Sequence, residues 1–145
     1  MDADSARTRL LAQHAEIRAH LNGCGALARR MLAGELVHME LDVALTRLRR
    51  VFMEHNTTET DLVAPLLQSS HTWGGQLLDR MLEEHLGEHV AFWEMLAGSV
   101  VEVARRMDDL IDELDAHMAA EERTFLSPLV LHEDVIERHR RQEPT

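Results

Sequence analysis

The chain has 145 residues, enough for a single domain that buries about two-thirds of the surface its unfolded form exposes. Fifteen arginines face 26 carboxylates for a formal charge of -11, and no face gathers enough arginine to reverse that field, so nucleic acid and anionic membranes are poor partners. Lysine and tyrosine are absent, which excludes a Schiff-base lysine, a P-loop lysine and any tyrosine radical, acid or metal ligand. One cysteine cannot form an internal disulfide, and the acidic start MDADSARTRL lacks the basic flank and apolar run of a secretory leader. No apolar stretch approaches the roughly 18 residues of a membrane span. A cytoplasmic protein is expected, and its ten histidines are the anomaly to explain.

Four long segments carry apolar residues at helical spacing, with no sustained period-two run of β-branched residues, so the class is all-α. The first helix is predicted from about Ser5, as N-cap, to about Ala33, with Leu10, Leu11, His14, Ile17, Leu21 and Cys24 on one side and a weak spot at Asn22-Gly23-Cys24-Gly25. The second runs from about Met39 toward Pro65, with a bend there, and Ser69 to Gly75 reads as a loop. The third runs from about Gly75 to Ala97, and the fourth, after Gly98-Ser99, from about Val100 to Ser127. A short charged C-terminal helix, Glu133 to Gln142, is expected outside. Short connections favour antiparallel neighbours, hence an up-down-up-down four-helix bundle in one domain.

A metal site in such a bundle collects ligands from several helices at one height. At about 1.5 Å per residue, His14 and His85 lie roughly 14–15 Å from the starts of their helices, and His55 and His117 roughly 15–16 Å from the ends of theirs. In an antiparallel bundle these heights coincide. A second ligand type stands four residues on in His55-Asn-Thr-Thr-Glu59, His85-Leu-Gly-Glu-His89 and His117-Met-Ala-Ala-Glu121, a spacing that puts both side chains on one face. Five imidazoles and two carboxylates overfill one ion. Two six-coordinate ions offer about twelve positions, of which the histidines, two bridging carboxylates and a bridging oxide or hydroxide fill all but one. That nitrogen-rich set suits two iron ions better than magnesium, calcium or zinc.

These residues give the chain its resemblance to the hemerythrin-like (HHE) cation-binding family, whose pattern is a lone His, then H-xxx-E, then a His or H-xxx-H, then H-xxx-E or H-xxxx-D. Here they read as His14, His55 with Glu59, His85 with His89, and His117 with Glu121 or Glu122, across about residues 8 to 128. The resemblance implies a non-haem di-iron centre in a four-helix bundle, in a family whose members bind dioxygen, sense oxygen or iron, or react with peroxide or nitric oxide. It implies that His14 and His55 hold one iron and His85, His89 and His117 the other, with Glu59 and the fourth-helix carboxylate bridging. The spacing there departs from the H-xxxx-D of animal oxygen carriers. At about 100° per residue, Glu121 lies only about 40° round from His117 and Glu122 about 140°, so regular geometry favours Glu121 as the bridge.

The expected function is reaction with a small oxidant at the open iron position, peroxide or nitric oxide before reversible dioxygen carriage, with an unidentified reductant. The alternative is an iron- or oxygen-sensing or dioxygen-binding module without turnover. His20, His38, His71, His132 and His139 fall near ends and loops and read as solvated, while Phe52, Phe92, Phe125 and Cys24 read as core. Glu54 and Glu84 are expected in solvent or paired with arginine, and Glu88 could stand behind a ligand. His85-Leu-Gly-Glu-His89 also spells an inverted zinc-peptidase motif, but that family needs a further metal ligand well downstream and a large cleft, while only 56 residues follow and they read as one long helix. A ferritin-like site needs two Glu-x-x-His motifs on separate helices, and the one present, Glu35-Leu-Val-His38, lies at a loop.

Overall fold

The structure, a computed structural model, describes residues 2–68, 72–124 and 126–127; the side chains of 67, 68, 72–78, 81, 82, 85, 89 and 93 are also outside the described set. Four helices follow in order: α1 (Ala3–Leu32), α2 (His38–Gln68), α3 (Thr72–Leu96) and α4 (Val100–Arg123). No strand occurs among the described residues. In this helical bundle α1 packs against α2 and α4, α2 also against α3, and α3 against α4.

The helix ends differ from the sequence reading for local physical reasons. Asp2, not Ser5, caps α1: its side chain accepts from the Ser5 N–H at 2.7 Å, and the added turn buries Ala3 and Ala6. The Asn22–Gly25 stretch does not interrupt α1. Gly34 closes the helix in the left-handed region (φ 99°), where its N–H donates to the Met31 carbonyl and that of Glu35 to the Arg30 carbonyl. Helix α2 continues through Pro65 to Gln68, and α3 begins at Thr72, so residues 72–75 are helical and not loop, against the weak helix propensity of Gly74-Gly75. Ser99 and Glu102 form a reciprocal capping box at the start of α4, and Arg106 donates to the carbonyls of Glu94, Met95 and Ala97 at the end of α3. Helix α4 ends at Arg123, four residues earlier than expected, and the chain turns to bury Leu126. The expected C-terminal helix, Glu133 to Gln142, lies outside the described residues.

Two apolar clusters form the core. One joins Ile17, Leu21, Leu48, Phe52, Phe92, Leu110, Leu114 and Met118 with their neighbours; the smaller joins Ala3, Ala6, Leu10, Val63, Leu66 and Leu126. Between them, in sequence and in space, comes a polar layer: His14 lies between Leu10 and Ile17 on α1, His55 and Glu59 between Phe52 and Val63 on α2, and Glu121 between Met118 and Leu126.

The two glycines of the Asn22–Gly25 stretch are not equivalent. A Cβ at Gly23 would meet nothing within 4 Å, whereas one at Gly25 would lie 2.9 Å from Ile111 Cδ1 on α4. Gly23→Ala is expected to stabilise by about 0.5–1 kcal/mol through helix propensity. Gly25→Leu is expected to destabilise by about 1–3 kcal/mol by forcing α1 and α4 apart. Urea unfolding of the two variants beside the parent chain measures both.

Candidate metal centre

Four donors from three helices, His14 (α1), His55 and Glu59 (α2) and Glu121 (α4), place ligand atoms within 4.8 Å of one another. All four are buried, at 0, 1, 0 and 1% exposure. His14 Nε2 lies 3.2 Å from His55 Nε2 and 3.2 Å from Glu121 Oε2, while His55 Nε2 lies 3.0 Å from Glu59 Oε2 and 3.6 Å from Glu121 Oε2. The other oxygen of Glu121, Oε1, meets His117 Nε2. Glu121 therefore faces imidazoles from two directions with its two oxygens.

The outer ring nitrogens explain why the Nε2 atoms converge. His14 Nδ1 donates to Glu122 Oε1 at 3.3 Å, and Arg18 grips the same carboxylate at 2.9 Å. His55 Nδ1 donates to Gln13 Oε1 at 3.0 Å; Gln13 Nε2 in turn donates to the Thr58 hydroxyl at 3.3 Å. His117 Nδ1 stands 3.5 Å from Glu88 Oε1 on α3. An imidazole whose Nδ1–H is held outside presents Nε2 to the interior, the usual disposition of a metal-ligating histidine. Phe52 stacks on Phe92 with ring centroids 4.2 Å apart and lies 6.5 Å from the His117 ring, closing one side with apolar surface.

The donor set fits a cation. Two carboxylates among imidazoles at full burial need compensating positive charge, and oxygen and nitrogen donors in this mixture suit a divalent or trivalent transition metal. In the metal-free protein a proton supplies part of that charge. Burial by itself would lower the His55 imidazole, but hydrogen bonds to Glu121 and Glu59, with their charges, outweigh it and raise it from 6.5 to about 9. His117 is opposed by burial and raised by Glu121 in the same way. A bound cation would take the place of these protons.

Of the seven expected ligands, the structure brings together His14, His55, Glu59, His117 and Glu121. His85 and His89 fall within α3, but their side chains lie outside the described residues. Glu121 joins the cluster and Glu122, 26% exposed, sits behind His14. Glu88 stands behind His117, Glu84 pairs with Arg80 at 3.0 Å, and Glu54 lies 3.9 Å from Arg50. His20 is partly exposed and His38 exposed, whereas Phe52, Phe92 and Cys24 are core; burial raises the Cys24 thiol to about 11, leaving it unreactive. Phe125, His71, His132 and His139 lie outside the described residues. Sequence reasoning missed Gln13 and Arg18, since a contact across helices leaves no periodic signal.

The folded-state rise of His55 fixes the sign of a pH effect. Its pairing with Glu121 and Glu59 contributes fully below about pH 6.5 and is lost as pH rises through about 9. The melting temperature of chelator-treated protein is therefore expected to fall between these values, as calorimetry would record. A flat or rising profile would contradict the pairing.

The model of the family described as Hemerythrin HHE cation binding domain matches residues 5–129. No curated protein and no solved structure matches the chain. Among the described residues no helix is long and apolar enough to cross a membrane. The match spans most of the chain and all five clustered side chains, and the chain belongs to the hemerythrin HHE cation-binding family.

Proposed function

We propose that this chain is a non-haem di-iron protein that reacts with a small oxidant, peroxide or nitric oxide in preference to reversible dioxygen carriage. The observation that carries the reading is the two-sided placement of Glu121, with Oε2 toward His14 and His55 and Oε1 toward His117. A carboxylate with imidazoles on both of its oxygens is placed where it could bridge two ions. His14 and His55 would hold one iron and His85, His89 and His117 the other, with Glu59 and Glu121 between them. Bound there, the irons would supply a redox couple and an open coordination position.

The protein's own residues do the rest. Gln13, Glu122 and Glu88 hold the outer nitrogens of three imidazoles. Phe52 and Phe92 line the site with apolar surface, and close packing admits a small ligand in place of a carbon skeleton. Glu122 occupies the sequence place of the carriers' bridging aspartate yet turns to Arg18, which supports reaction over carriage. The up-down-up-down course of the bundle is supported by the pairing of α1 with α4 and the turn after it in opposite order: Arg7 with Leu126, His14 with Glu121, Arg18 with Asp115, Arg29 with Asp108.

Metal analysis joined to the optical spectrum of the oxidised protein tests the reading. About two irons per chain and a ligand-to-iron charge-transfer band in the near ultraviolet are expected; one tightly bound zinc without colour would overturn it. His117→Ala and Glu121→Gln should each lose iron and lower the melting temperature, and His20→Ala should do neither. Steady oxygen evolution from hydrogen peroxide is the expected turnover; a long-lived reversible dioxygen adduct would instead favour carriage.

A further inference from the structure

The imidazoles converging on the cluster are backed by unlike partners. Behind His14 stands a carboxylate, Glu122, itself fixed by Arg18 Nη2 at 2.9 Å; behind His55, at 3.0 Å, stands the neutral amide of Gln13. An imidazole that donates its N–H to a carboxylate becomes a more basic donor through the opposite nitrogen, while an amide oxygen does this weakly. More electron density at Nε2 favours the higher charge state of whatever metal it binds. Glu122 faces away from the other donors, and its quarter exposure allows the guanidinium and the carboxylate to stay solvated as a pair.

We propose that Glu122 is a positioning residue that orients His14 through Nδ1 and lowers the reduction potential of the metal that His14 and His55 hold, with Gln13 as its neutral counterpart at His55. The proposal rests on the di-iron reading above. Arg18 acts through Glu122 by fixing the carboxylate in the plane where His14 can reach it. The same side chain that a five-residue spacing would make a ligand thus works one bond sequence further out.

The test compares the iron-loaded parent chain with Glu122→Gln and Gln13→Glu, reading iron affinity by chelator competition and reduction potential by optical titration. Glu122→Gln keeps the side-chain shape and removes the charge. It is expected to retain iron, to weaken affinity by about 10-fold or more, and to raise the potential by about 59 mV for each tenfold by which ferric binding falls more than ferrous. Gln13→Glu places a carboxylate behind His55 and is expected to lower the potential, an opposite sign that a purely structural role would not give. Glu122→Asp should restore part of the parent potential. An unchanged potential in Glu122→Gln, or loss of iron as complete as in Glu121→Gln, would overturn the proposal, the latter because Glu122 would then be a ligand. Should Glu122→Gln fail to fold, as judged by its helical circular dichroism, Gln13→Glu decides alone, and an unchanged or raised potential there overturns it. A parent chain that binds no iron would instead overturn the di-iron reading, and the proposal with it.

Discussion

Two carboxylates, Glu59 and Glu121, are held out of water in the middle of a helical protein. Removing each from solvent costs on the order of several kcal/mol even after relaxation, so the surrounding groups must supply positive charge at short range. In the metal-free protein His55 and His117, both raised by these carboxylates, supply part of it, and a bound cation would supply the rest. Every other feature of the centre follows from that requirement. The helices must meet at one height, the apolar core must part to admit a polar layer, and the layer must be sealed at both ends.

The division of the core into two clusters is the structural expression of this constraint. The larger cluster, from Ile17 and Leu48 to Leu114, holds most of the bundle together. The smaller one, built on Ala3, Ala6, Leu10, Val63, Leu66 and Leu126, covers the other end of the polar layer. The extra turn at the start of α1 and the early end of α4 both serve it. Arg7 Nε donates to the Leu126 carbonyl at 2.7 Å and ties the turn after α4 to the beginning of α1.

Around the cluster, polarity is graded outward. Imidazole Nε2 atoms and carboxylates face inward; a carboxylate, an amide and a second carboxylate take the outer Nδ1 positions; Arg18 stands beyond the first of these. This order gives the outer nitrogen of each ring a polar neighbour and fixes which one faces a cation. It also makes the three rings chemically unequal, a property that their shared residue type conceals.

The sequence by itself determined the helical class and the family, and it singled out the five side chains that the structure brings together, His14, His55, Glu59, His117 and Glu121. Residues four apart on a helix share a face wherever the helix is placed, so His55 with Glu59 and His117 with Glu121 were legible from spacing. The same regularity favoured Glu121 over Glu122 as the residue turned inward. Helix ends were less legible, because capping depends on single hydrogen bonds and on burial: Asp2 caps in place of Ser5, residues 72–75 join α3, and α4 ends early to bury Leu126. Only the tertiary structure placed Gln13 behind His55 and Glu122 with Arg18 behind His14. Those contacts join residues 42 and 108 positions apart, and their geometry comes from how α1 packs on α2 and α4, which no local period encodes.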